Sequence, residues 1–242
     1  EVVNSTMSVE TMEGIVDERQ GKIFWHVARH TIQALLEARR LLEDIDQKMA
    51  GLVINSAEEG FKLYQNELYA IDLHYRHYFR EAHEAESKNL LVSITEKVQR
   101  VYTNGYLMTL ANKWQPMVDG MQKWQINGYI TQRSFYNYFV DPFVRKGTKV
   151  FVIISDALRY ETMVELEQRI AALNRMKTEM KPPMVSTLPS YTQLGMAALL
   201  PQHELSYESD KDVAYADGQS TKGTESRKKV LQGRVSASLA LT

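Results

Sequence analysis

The sequence predicts an all-α region followed by an α/β region containing part of a parallel sheet. Two observations carry this. Through about the first 140 residues, apolar side chains recur every three or four positions, the period of one helix face. Around residue 147 the pattern becomes a short continuous apolar run, Val-Phe-Val-Ile-Ile at 150–154, set between a turn glycine and Asp156. Such a run, β-branched and apolar on both faces, suits a central strand covered on both sides. Residues 1–145 are read as the helical region and 146–242 as the α/β region.

In chain order, Phe24, Val27, Leu35, Leu42, Ile45 and Met49 mark a long first helix. The turn "GLVINSAEEG" follows, with Ser56 as N-cap and Glu59 three residues on completing a capping box. Phe61, Tyr64, Leu68, Ile71, Tyr75 and Tyr78 then alternate spacings of three and four, which puts all six on one face. Leu91, Ile94, Val98, Val101 and Tyr102 open a third helix, with Asn104-Gly105 and Pro116 as candidate interruptions. "QRSFYNYFVDPF" is a short aromatic helix ending near Pro142. After the strand, residues 161–174 are expected to form a helix with Met163, Leu166, Ile170 and Leu173 turned inward. A short extended stretch at 184–187 precedes a helix over 191–200 that Pro201 ends, and the last forty residues read as loop with one short helix.

Composition narrows the chemistry. Lys and Arg number 29 against 30 Asp and Glu, so nothing in the charge balance demands nucleic acid or an anionic membrane. The chain has no cysteine, which removes disulfides and thiolate metal sites and fits a reducing cytoplasm. Any metal site must use Asp, Glu, His or hydroxyl oxygen. No apolar run reaches the roughly 18 to 20 residues of a membrane span, and "EVVNSTMSVE" lacks a basic segment followed by an apolar one. A cytoplasmic protein without a membrane partner is expected. Because the chain opens on Glu1 and stops on the apolar "SASLALT", it is expected to be a piece of something longer.

Two stretches carry candidate chemistry. In open α/β sheets ligands gather beyond the carboxyl ends of strands, where Asp156 stands. A carboxylate there suits a divalent cation, or equally the cap of the following helix. "STLPSYTQLGMAALLP" sets Ser186, Thr187, Ser190, Tyr191 and Thr192 ahead of a helix, where a hydroxyl can face bound phosphate and serve as nucleophile. The plainer alternative is a capping box of Ser190 with Gln193. Arg159 and Arg227 are candidate phosphate contacts, each with the simpler reading of a surface arginine. His74 and His77 have a metal-compatible spacing but no companion carboxylate motif, and Trp114 and Trp124 read as core.

"VFVIISDALRYE", then "STLPSYTQLGMAALLP" some thirty residues later, then "DGQSTKGTESRKKVL", closely resemble the PglZ family, alkaline phosphatase-like proteins of BREX phage-exclusion systems. "SAEEGFKLYQNELYAIDLHYRHYF" and "NKWQPMVDGMQKW" resemble the same proteins' middle region, so the resemblance covers nearly the whole chain. It implies the alkaline phosphatase superfamily, in which an Asp after the first core strand and a Ser or Thr at a helix start share two divalent ions, usually zinc. Asp156 then matches the first metal ligand. Thr192, in the Thr-Gln dipeptide of PglZ-like domains, is the preferred nucleophile and second metal contact; Thr187, in "TLPS", is the alternative. The remaining ligands normally come from later in the fold, where this chain offers His203, Asp210, Asp212 and Asp217. The implied function is metal-dependent hydrolysis of phosphate mono- or diesters, nucleic acid or nucleotides included, alongside a DNA methyltransferase and an ATPase. The alternative is an incomplete phosphatase core that serves as a docking module.

Overall fold

A computed structural model describes residues 6–208 and 210–241. The chain divides into two compact units: Glu1–Met121 with Arg159–Thr178, and Gln122–Leu158 with Glu179–Thr242.

The first unit is helical. It contains α1 (Val9–Arg19), α2 (Trp25–Met49), α3 (Ala57–Leu63), α4 (Tyr69–Glu84), α5 (Val92–Arg100), α6 (Met108–Asp119) and α8 (Tyr160–Ala172). Five residues of the face predicted from Phe61 to Tyr78 join its core: Leu68, Ile71 and Tyr78 are fully buried with α2 residues such as Leu41 and Ile45, and Tyr64 and Tyr75 pack partly buried against them, while Phe61 lies against Trp114. Burial of this kind stabilises by about 1.5–3 kcal/mol per large side chain. The N-terminal marks of the first helix do not join it: Phe24 and Val27 are exposed.

Ser56 caps α3 by accepting from the Glu59 amide at 3.1 Å. The return arm lands one residue early, because the Glu59 carboxylate accepts from the amide of Asn55 at 2.9 Å. Neither candidate interruption breaks the third helix. Asn104-Gly105 lies in a π-helical turn (Val101–Leu107) between α5 and α6, and Pro116 sits inside α6. A second π turn (Tyr64–Leu68) joins α3 to α4. Tyr64 and Tyr102, one on each π turn, both donate to the buried Asp72 carboxylate at 2.6 Å. Burial and that carboxylate push both phenols well above their ordinary pKa.

Helix α8 corrects the expected inward face. Met163, Leu166 and Leu173 are exposed, while Glu161 is fully buried and Glu165 pairs with Arg76 and His77 of α4. Cross-helix ion pairing, invisible to a periodicity argument, sets which side of α8 faces the unit.

The second unit holds α7 (Asp141–Arg145), α9 (Thr192–Ala198), an antiparallel sheet of β1 (Leu205–Glu208), β2 (Val213–Ala216) and β3 (Gln219–Ser220), and α10 (Gly223–Arg234). Leu194 and Ala197 of α9 pack on Ala214 of β2, and Val230 of α10 packs with Leu200 and Ala216. This sheet replaces the loop expected near the end of the chain. Its turn is legible after the fact: Asp217-Gly218 joins β2 to β3 with φ of 49° and 77°, the two positive values a type I′ hairpin demands.

The expected parallel strand at 150–154 is not formed. These residues run as irregular chain, with Phe151 79% and Ile153 92% exposed. A strand apolar on both faces needs a paired neighbour on each edge and a layer on each face, and the described residues supply neither. Parallel pairing among them is limited to one bridge, Thr131 with Val185, closed by Gln132 N to Val185 O at 2.9 Å and Val185 N to Ile130 O at 2.8 Å.

Candidate functional site

Asp156 occupies the turn that ends the 150–154 run, where the Leu158 amide bonds back to the Ser155 carbonyl at 3.4 Å. Ala157 adopts φ +57°, a left-handed conformation that costs an L-residue about 1–2 kcal/mol. Its amide donates to Asp156 Oδ1 at 3.0 Å, which fixes the carboxylate against its own turn. Asp156 does not cap α8, whose N-cap is Arg159, so Oδ2 is left to face another group.

That group is Thr192. It is the first residue of α9 and follows Tyr191, the N-cap, which makes no side-chain capping bond. Thr192 Oγ1 donates to Asp156 Oδ2 at 3.1 Å, with Oδ1 at 3.4 Å. Both residues are exposed, so the contact contributes only about 0.5–1.5 kcal/mol net and gives fold stability little reason to require it. Expected as two halves of one site, they are the pair that the structure brings together.

Thr187 is placed differently. It is 9% exposed, and both its amide (3.0 Å) and its hydroxyl (3.3 Å) donate to Gln132 Oε1. Trp124 closes the same region by donating to the Ser186 carbonyl at 2.6 Å. The Thr187 hydroxyl is therefore spent on a packed structural contact. The Ser190–Gln193 capping box does not form; Gln193 Oε1 instead accepts from Arg227 at 3.1 Å. Arg227 also donates through Nε to the Thr221 carbonyl at 3.1 Å.

Arg159 pairs with carboxylates: Asp72 lies 3.3 Å and Glu161 3.2 Å from its guanidinium. Despite opposing desolvation, its bond with Tyr102 and these acids hold its pKa above the ordinary arginine value. His74 bonds Glu37 at 2.7 Å and His77 bonds Glu165 at 3.1 Å, which uses both rings structurally. Of the later acids, Asp217 accepts from the amides of His203 (2.9 Å) and Glu204 (2.7 Å), and these bonds hold its carboxyl below its usual range. Asp212 accepts from Tyr207 at 3.5 Å.

Among the described residues, no three His, Cys, Asp or Glu are grouped to hold a metal ion. Zinc in proteins takes four ligands, usually three from side chains even where one position stays open for catalysis. One carboxylate and one hydroxyl do not make that shell.

Sequence reasoning missed Gln132 and the Gln193–Arg227 contact. Gln132 carried no local signal, and Gln193 stands out in the sequence as a capping partner of Ser190 and as half of the Thr-Gln dipeptide, neither of which points to Arg227.

Comparison with known proteins gives a consistent answer. Residues 135–241 match the BREX system PglZ alkaline phosphatase-like domain. Alkaline phosphatase-like protein PglZ of Bacillus cereus (strain H3081.97) is 35% identical over 91% of this chain and 26% of its own length. Alkaline phosphatase-like protein BrxZ of Escherichia coli O9:H4 (strain HS) is 36% identical over 95% of this chain and 28% of its own length. The chain thus spans about a quarter of the length of these curated relatives. No solved structure gives a significant match. Motifs, domain match and identity across nearly the whole chain agree, and the chain belongs to the PglZ family of BREX-associated alkaline phosphatase-like proteins.

Proposed function

We propose that this chain carries the nucleophile and first metal ligand of a metal-dependent phosphate mono- or diester hydrolase acting in a BREX system. The observation that carries the reading is the 3.1 Å contact of Thr192 Oγ1 with Asp156 Oδ2, at two exposed residues whose bond the fold does not need. In that geometry the Thr192 proton points at a carboxylate and its oxygen lone pairs are free to meet phosphorus. The threonine oxygen forms a bond to phosphorus as the ester P–O bond breaks. The Thr192 proton passes to Asp156 while solvent protonates the departing oxygen; attack of water on phosphorus then breaks the threonine–phosphorus ester, Thr192 regaining its proton from Asp156 and water's proton returning to solvent.

Asp156 and Thr192 supply two oxygens toward the zinc that the family likeness implies. The remaining ligands, and the strands that would pair residues 150–154 in an alkaline phosphatase-like parallel sheet, are assigned to polypeptide beyond the described residues. The test uses a protein carrying this chain at the full length of its relatives. Chelator-sensitive release of nitrophenolate from monoester or diester substrates, lost in Asp156→Ala, supports the reading; a folded, zinc-loaded protein with no hydrolysis overturns it.

A second reading is favoured by the exposed apolar side chains of residues 150–154: the core is incomplete and docks other BREX proteins, a methyltransferase or ATPase among them. Stable co-purification with such a partner, in a protein that binds no metal, would select it.

A further inference from the structure

Thr192 is exposed and its side chain is bonded to an equally exposed Asp156, so packing of its own side chain does not fix its position. Its two neighbours in the chain do. Before it, the Tyr191 ring lies 5.2 Å from the ring of Tyr207 on β1. After it, Gln193 Oε1 accepts from Arg227 Nη2 of α10 at 3.1 Å, and Leu194 then packs on Ala214 of β2.

These contacts close into a ring. Arg227 Nε donates to the Thr221 carbonyl at 3.1 Å, and the fully buried Thr221 gives its amide (3.0 Å) and its hydroxyl (2.8 Å) to the Ala214 carbonyl. Ala214 is the cross-strand partner of Tyr207, which returns the path to Tyr191. Every member of this circuit except Thr192 is buried or half-buried. The link at residue 227 suits an arginine, because a planar guanidinium reaches two separate uncharged acceptors at once where a lysine presents a single point of charge.

We propose that Arg227 is a positioning residue for Thr192: acting through Gln193, it holds the first turn of α9 so that Thr192 Oγ1 meets Asp156 Oδ2. The proposal rests on the reading of Thr192 as nucleophile, and it gives Arg227 a role one residue removed from phosphate in place of contact with it. Nε and Nη2 are both committed to protein oxygens, which favours that role. A shift of about 1 Å at a reacting atom costs about a hundredfold in rate, so an anchor beside the nucleophile acts on kcat and little on substrate binding.

The test uses a protein carrying this chain at the full length of its relatives and has two readouts. The first is hydrogen–deuterium exchange without substrate. Arg227→Met and Gln193→Met should each speed exchange of the α9 amides by about tenfold, the scale of one lost hydrogen bond, while the β1–β2 ladder keeps its protection. The Gly195 amide, bonded to the Tyr191 carbonyl at 3.0 Å, reports the first turn. The second readout is nitrophenolate release, where each variant should lose about tenfold to a hundredfold in kcat with KM within about twofold of the parent. The double variant should lose no more than the worse single one, since both break the same contact. Lys229→Gln, at an exposed cation of the same helix, should match the parent in both readouts.

Where Arg227→Met loses its circular-dichroism signature, Gln193→Met carries both readouts. Unchanged α9 exchange or unchanged kcat in the folded variants overturns the proposal. So does a raised KM at unchanged kcat in Arg227→Met, the mark of a phosphate contact, or losses that multiply in the double variant. A parent that hydrolyses nothing would sink the nucleophile reading by itself, while exchange still decides whether Arg227 holds α9.

Discussion

Thr192 Oγ1 and Asp156 Oδ2 stand 3.1 Å apart although 36 positions separate the two residues in sequence. Neither is buried and neither caps a helix through its side chain, so their meeting follows from where the turn after residue 154 and the start of α9 are placed. The direct hydrogen bond is closer than the separation of about 4 to 7 Å that a bridging metal ion would set.

The same pair sets a limit on metal binding. With two protein oxygens and no third acidic or imidazole group assembled among the described residues, this chain alone should retain no stoichiometric zinc after gel filtration. Metal analysis by mass spectrometry checks this. One tightly held zinc per chain, lost in Asp156→Ala, would show that the shell is completed within these residues.

Acid should loosen the contact of α8 with α4. Burial would raise the Glu165 pKa, but hydrogen bonds from Arg76, His77 and Arg169 outweigh it and hold the carboxyl at about 2, against an ordinary 4.5. A depressed carboxyl contributes stability that is present above about pH 4.5 and is lost as pH falls from there through about 2. Chemical denaturation across that window should show a loss of about 1–3 kcal/mol, allowing for solvent screening at Arg169. Glu165→Gln should be less stable at neutral pH and show a flatter acid limb. An identical acid limb in the variant would remove Glu165 as the cause.

Gly60 poses a contest between propensity and packing. In an open helix Gly→Ala would stabilise by about 0.5–1 kcal/mol. Here a Cβ would lie 2.9 Å from Trp114 Cζ3 and 3.2 Å from Ile54 Cγ2, and the indole is itself packed on Phe61 at 5.8 Å. Overpacking wins, and Gly60→Ala should lower stability by about 1–3 kcal/mol in thermal or urea unfolding. An unchanged or raised midpoint would mean that the indole yields freely.

The legibility of this molecule varied with how local its determinants are. The face from Phe61 to Tyr78 could be read directly, because a 3.6-residue period survives whatever the helix packs against. The strand at 150–154 could not, since a strand exists only with partners and composition does not say whether they are present. The buried side of α8 was misread because Arg76 and His77 pair with Glu161 and Glu165 from a distant part of the sequence. For the site, Asp156 and Thr192 were both legible as candidates. The proposed preference for Thr192 over Thr187 rests on Gln132, a residue with no mark in the sequence that accepts from the Thr187 hydroxyl.

That choice gives the most direct measurement: the rate of phosphate-ester hydrolysis by Thr192→Val and Thr187→Val in a protein carrying this chain at the full length of its relatives. Valine keeps the shape and deletes the hydroxyl, and unfolding midpoints confirm that each variant is folded. The account predicts that Thr192→Val loses about a thousandfold or more in kcat, the scale of a lost nucleophile. Thr187→Val should stay within about tenfold of the parent, since its hydroxyl only packs against Gln132. A folded, zinc-loaded Thr192→Val protein that turns over at the parent rate would contradict the assignment of Thr192 as nucleophile.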